Sequence, residues 1–182
     1  MRAILLRHGK TEGNLRGCYI GSRTDEPLCE AGRAALKRPA IAPVTRVYCS
    51  PMLRCRETAA LLYPELEAEI IDDLRECDFG AFEGLNYEQL NGRADYQAWV
   101  DSGGTLPFPG GESRESMTQR VLAAYERIRN EAGQETCAFI VHGGTIMAVM
   151  EAYARPRRDY FDWQIGNGQG FVLEEDGSWE RV

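Results

Sequence analysis

The sequence predicts an α/β domain built on a largely parallel sheet. Short apolar runs alternate with segments of helical periodicity along the chain. Two of those runs, Ile4-Leu5-Leu6-Arg7-His8-Gly9 and Phe139-Ile140-Val141-His142-Gly143-Gly144, end in His-Gly. Ligands of open α/β sheets bind at the carboxyl ends of strands, where both histidines fall. With 182 residues, 43% of them hydrophobic, the chain can bury one core, so a single domain over 1–182 is expected.

Strands are expected over residues 2–6, 46–49, 68–71, 136–141 and 171–174. The last pairs with 179–182 across the Asp176-Gly177 turn. Helices are expected over 30–37, 54–62, 113–132 and 145–153. In the third, Met117, Val121, Ala124, Tyr125, Ile128 and Ala132 recur on one face, with Ser113 as N-cap and Gly133 as terminator. Residues 77–113 read differently, as short helical pieces followed by Ser102-Gly103-Gly104 and Pro107-Phe108-Pro109-Gly110-Gly111. They are taken as a cap inserted over the sheet.

Composition narrows the function classes. A net charge of −7 lacks the basic field that a nucleic-acid or membrane surface needs, yet leaves room for a local arginine cluster to hold a small anion. No apolar run approaches the roughly 20 residues of a membrane span. A second charge, Arg7, follows Arg2 too soon for a secretory signal, so a cytoplasmic location is expected. The six cysteines show no Cys-x-x-Cys spacing, which argues for reduced thiols and against a zinc site.

The two strand-end histidines could face each other across one site, with the following glycines letting backbone N–H groups approach a ligand. A third strand end, Val47-Tyr48-Cys49-Ser50-Pro51, leads into a helix that opens with Arg54 and Arg56. Arginine presents a planar fork of donors to phosphate, so Arg7 and Arg54 could converge on one phosphoryl group. A neutral imidazole of His8 could attack phosphorus. Glu76 follows the third strand and could protonate the leaving group, with Asp78, Asp72 and Asp73 as competitors.

Four ordered motifs then resemble the histidine phosphatases of the phosphoglycerate mutase-like superfamily. They are Arg7-His8-Gly9-Lys10-Thr11-Glu12-Gly13-Asn14; Ser50-Pro51-Met52-Leu53-Arg54-Cys55-Arg56-Glu57-Thr58-Ala59; Leu74-Arg75-Glu76 with Gly80, Glu83 and Gly84; and Val141-His142-Gly143-Gly144. The resemblance implies a three-layer αβα fold and a phosphomonoester hydrolase working through a phosphohistidine on His8. It implies that Arg7, Arg54 and His142 hold the phosphoryl oxygens, that Asn14, Gly21 and Gly143 add contacts, and that Glu76 serves as general acid and base. No metal or organic cofactor is implied, and the partner would be a small phosphorylated metabolite. Ile20, Val141 and Met147 depart from common family residues.

The chemistry is shared with mutases, which must retain a second anion. Residues 77–113 offer one cation, Arg93, against Asp78, Glu83, Glu88, Asp95, Asp101 and Glu112. Tyr87, Tyr96, Trp99 and Phe108 of the same stretch suit a bulky uncharged body. Residues 19–28, 108–113 and 167–171 resemble those of bacterial α-ribazole-phosphate phosphatases. The expected substrate is therefore α-ribazole 5′-phosphate. The alternatives are a broad-specificity or sugar-phosphate phosphatase, a mutase, and a non-catalytic phospho-ligand sensor.

Overall fold

The computed structural model describes residues 1–41 and 43–182. Six strands are β1 (Arg2–Arg7), β2 (Arg46–Cys49), β3 (Ala68–Ile70), β4 (Thr136–Val141), β5 (Gly170–Leu173) and β6 (Trp179–Arg181). They form one sheet in the order β3-β2-β4-β1-β5-β6. The first four positions are parallel, whereas β5 runs antiparallel to β1 and turns back into β6. Every strand begins and ends within one residue of its expected bounds.

Among the described residues seven α-helices accompany the sheet: α1 (Glu12–Leu15), α2 (Glu30–Ala35), α3 (Leu53–Leu62), α4 (Tyr87–Leu90), α5 (Ala94–Asp101), α6 (Arg114–Ala132) and α7 (Gly143–Tyr153). Side chains alternate across a strand, so each strand feeds two cores. Leu5, Tyr48, Phe139 and Val141 pack with α6 and α7 on one face. Ile4, Leu6, Val47 and Ile140 pack with Cys55, Ala59 and Leu62 of α3 on the other. This is the three-layer αβα arrangement.

In α6 the expected apolar stripe is buried from Met117 to Ala132, each large side chain contributing about 1.5–3 kcal/mol of transfer free energy. The Ser113 hydroxyl accepts the Ser116 N–H at 3.0 Å, a cap worth about 1 kcal/mol. Two helix bounds differ from expectation by two residues, and the starts of α3 and α6 by one. The chain leaves α2 at Leu36, two residues early, ahead of Pro39, which disfavours helical backbone at Arg38. α7 starts two residues early, at Gly143, because tertiary contacts outweigh the low helix propensity of Gly143 and Gly144. Residues 77–113 hold a 3-10 turn (Gly80–Phe82), α4 and α5, gathered on an aromatic cluster of Tyr19, Phe79, Phe82, Tyr96, Trp99 and Phe108.

Candidate active site

β1 and β4 are neighbours in register, with Arg7 opposite Val141, so His8 and His142 leave the sheet side by side. Their ring centroids are 5.2 Å apart at an interplanar angle of 64°. Both are buried. The His8 Nδ1 lies 2.7 Å from the Gly9 carbonyl oxygen, which can only accept, so Nδ1 carries the proton and Nε2 presents a lone pair. Burial holds the His8 imidazole well below the usual range, helped by the charges of Arg54 and Arg7. His142 is depressed in the same way, by burial first and then by Arg54, His8 and Arg7.

His142 is oriented by Ser50, whose hydroxyl lies 2.7 Å from its Nε2. Its Nδ1 is 3.4 Å from Arg54 Nη2. A guanidinium N–H can only donate, so Nδ1 accepts from Arg54 and Nε2 carries the proton toward the Ser50 hydroxyl, which can accept it. The Arg54 side chain is wholly buried and strung between backbone carbonyls of one loop: Nη1 donates to Thr24 at 2.8 Å, and Nη2 to Gly21 at 3.0 Å. Arg7 Nη1 donates to the Ile165 carbonyl at 2.7 Å. Among the described residues the Nε–H groups of both arginines are buried without a partner. An unmet buried donor costs about 1–3 kcal/mol, and these two donors lie near His8.

Glu76 is buried with one oxygen on the Cys77 N–H (2.9 Å) and the other on the Gly144 N–H (3.3 Å). A methyl group on Gly144 would come within 2.5 Å of Glu76 Oε1, so glycine is required for this approach. A cavity of about 570 Å³ opens over these groups. Arg7, His8, Asn14, Glu76 and Gly143 line it, and Glu76 is its one carboxylate among the described residues. Arg54 and His142 lie behind that surface, fully buried. The departures from family pattern at Ile20 and Met147 also line the cavity.

Several expectations change. Gly21 does not line the cavity: its N–H is held by Glu83 at 2.8 Å and its carbonyl by Arg54, so it supports Arg54 rather than facing a ligand. Asp78 is paired with Arg23 at 2.7 Å, and Asp72 and Asp73 sit in an exposed 3-10 turn, which removes all three as rivals of Glu76. Tyr87 is 64% exposed and stands away from the cavity, unlike Trp99 and Phe108, which line it. Arg93 is paired with Asp95 and does not line the cavity either. Two other arginines do, Arg114 and Arg181, both outside the 77–113 window on which the charge comparison rested.

Sequence reasoning placed Thr58 in a motif but missed its role: its hydroxyl accepts the Gly9 N–H at 3.0 Å. It also missed the role of Asn167, whose side chain donates at 3.2 Å to both the His8 carbonyl and Asn14 Oδ1. No local pattern links residues so far apart in the chain.

Comparison with known proteins shows the family. A family model described as histidine phosphatase superfamily (branch 1) matches residues 3–181. A relative named 2,3-bisphosphoglycerate-dependent phosphoglycerate mutase, from Methylobacterium radiotolerans, is 34% identical over 165 residues, covering 81% of this chain and 76% of that protein. The adenosylcobalamin/alpha-ribazole phosphatase of Salmonella typhimurium is 27% identical over 177 residues, covering 92% and 87%. The crystal structure of the alpha-ribazole phosphatase from Shigella flexneri shares the fold, with a TM-score of 0.79 at 24% identity over 97% of this chain and 92% of that one. Relatives of both kinds, phosphatase and mutase, are enzymes. With paired strand-end histidines, two arginines whose Nε–H groups are buried, and a family match over nearly its whole length, the chain belongs to the histidine phosphatase superfamily, branch 1.

Proposed function

We propose that the protein hydrolyses phosphomonoesters through a phosphohistidine on His8. The observation that carries this reading is the locked His8 ring, with Nδ1–H on Gly9 and a free Nε2 in the same cavity as a single carboxylate. In the first step Nε2 forms a bond to phosphorus as the ester P–O bond breaks, and protonated Glu76 gives its proton to the leaving oxygen. In the second, Glu76 takes a proton from water, the resulting P–O bond replaces the P–N bond, and phosphate departs with His8 neutral again. Arg7, Arg54, His142, Asn14 and the N-terminus of α7 at Gly143 would hold the equatorial oxygens through both steps.

The substrate body would lie against Trp99 and Phe108. These aromatic faces, together with the relatedness to an α-ribazole phosphatase, support α-ribazole 5′-phosphate as the first substrate to test. The mutase reading draws on one observation, that Arg114 and Arg181 in the cavity have no carboxylate partner among the described residues, and on the relative that is a phosphoglycerate mutase. A direct comparison decides between them. Phosphate release from α-ribazole 5′-phosphate should exceed that from 3-phosphoglycerate in kcat/KM, with no added bisphosphoglycerate. Interconversion of 2- and 3-phosphoglycerate faster than phosphate release would overturn the hydrolase reading.

A further inference from the structure

Glu76 sits in a stretch of chain that no strand or helix holds. β3 ends at Ile70, a 3-10 turn covers Asp72–Leu74, and residues 75–79 are irregular. Carbonyl groups in such a stretch need partners from elsewhere. Here two helices supply them. Arg120 of α6 donates from Nη1 to the carbonyls of Asp73 (2.7 Å) and Arg75 (2.8 Å), and from Nη2 to that of Glu76 (3.1 Å). Thr145 of α7 donates its hydroxyl to the Leu74 carbonyl at 3.3 Å. All four carbonyls from Asp73 to Glu76 are therefore tied by side chains.

Arg120 is itself aligned by Glu112. Its Nε and Nη2 each meet one carboxylate oxygen at 2.8 Å, a bidentate pair. The two side chains are 12% and 14% exposed. Three carbonyl and two carboxylate contacts occupy all five N–H donors of the guanidinium. Glu112 also reaches the same stretch: its backbone N–H donates to the Asp78 carbonyl at 2.9 Å, and its Oε2 accepts the Asp78 N–H at 3.4 Å. The docking of α6 rests on other residues, since Met117, Val121, Ala124, Tyr125 and Ile128 bury its apolar stripe.

Building on the hydrolase reading, we infer that Arg120 is a positioning residue for the proton donor. It fixes the main chain of residues 73–76 and so sets where the Glu76 carboxyl stands against the leaving oxygen. Arg120 does not line the cavity, so it acts through Glu76 rather than on the substrate. The Glu76 oxygens take one N–H from Cys77, which moves with the stretch, and one from Gly144, which belongs to α7. A slip of the main chain therefore pulls the carboxyl away from Gly144. Lysine carries its charge at one point with three donors, so it cannot span Glu112 and three carbonyls at once.

Arg120→Lys should slow single-turnover phosphorylation of the enzyme by glycerol 2-phosphate, an alkyl ester, by about 10–100-fold, since a displacement of about 1 Å costs on the order of 10²-fold. Phenyl phosphate, whose leaving group needs little protonation, should lose less than about threefold. Added to Glu76→Gln, Arg120→Lys should change the alkyl rate by less than about threefold, because the group through which it acts is already gone. A merely structural arginine would slow both esters alike and multiply with Glu76→Gln. Either of those results overturns the assignment, as does an alkyl rate unchanged in Arg120→Lys. If circular dichroism shows that Arg120→Lys does not fold, the double variant Arg120→Met, Glu112→Gln removes both charges together and leaves no carboxylate buried unpaired. It must show the same alkyl-selective loss, and equal losses on the two esters overturn the assignment there too. Wild type and Glu76→Gln separate the levels. Wild type inert toward both esters sinks the hydrolase reading, and this inference with it. An alkyl-selective loss present in Glu76→Gln but absent in Arg120→Lys sinks this inference alone.

Discussion

Replacing Gly144 by alanine tests the placement of the acid without touching any charged group. The added methyl would lie 2.5 Å from Glu76 Oε1, 3.2 Å from Met117 Cε and 3.4 Å from Tyr160 Oη. The closest atom is the end of a rotatable side chain, so the backbone can stay and Glu76 must swing. That movement breaks the 3.3 Å bond from the Gly144 N–H and strains the 2.9 Å bond from Cys77. Overpacking of this kind costs about 1–3 kcal/mol of stability, which a chain of this size can survive. The catalytic cost is larger, because a displacement of about 1 Å loses on the order of 10²-fold. Complete loss of the acid, in Glu76→Gln, would cost about 10²–10⁴-fold. Both losses should fall on alkyl phosphates, whose leaving groups need a proton, far more than on aryl phosphates. Single-turnover rates of phosphorylation are the assay, with a thermal melt to confirm folding. Equal losses on the two ester classes, or none for Gly144→Ala, would refute the assignment of Glu76 as proton donor.

Acidification should weaken the fold through the two buried imidazoles. Both sit below the ordinary value of about 6.5, so the unfolded chain binds more protons below that pH. Their contribution is full above pH 6.5 and is lost below it at up to about 1.4 kcal/mol per pH unit for each histidine. Urea melts from pH 7.5 to 5 should show a shallower dependence in His8→Ala than in wild type; identical slopes would contradict the burial argument. Trp99→Ala should raise KM for α-ribazole 5′-phosphate by roughly two- to tenfold through loss of a ring face, read in steady-state kinetics against phenyl phosphate. An unchanged KM would remove Trp99 from the substrate wall.

The sheet was legible in the sequence because its strands are short apolar runs bounded by turns, and the site's centre was legible because His8 and His142 each stand one residue past a strand end while Arg54 and Glu76 lie in the segments that follow β2 and β3. What lay beyond the sequence came from contacts between distant segments. Thr58 on Gly9, Ser50 on His142 and Tyr160 on Gly144 have no periodicity to reveal them. The charge comparison over 77–113 failed for a related reason. It stopped at Ser113, one residue before Arg114, whereas the cavity wall is assembled from α5, the start of α6 and the 3-10 turn Tyr160–Trp163. Gly21 was placed on the ligand by the family resemblance, but its two polar groups are taken by Glu83 and Arg54.

The account stands on nucleophilic attack by His8. Rapid quench after brief mixing with a radiolabelled phosphomonoester should trap a phosphoprotein that is labile in acid and stable in base, with the label on the peptide containing His8. The label should be absent in His8→Ala and should accumulate when Glu76→Gln slows hydrolysis of the intermediate. Label retained in His8→Ala, or phosphate released at the wild-type rate by that variant, would contradict the account.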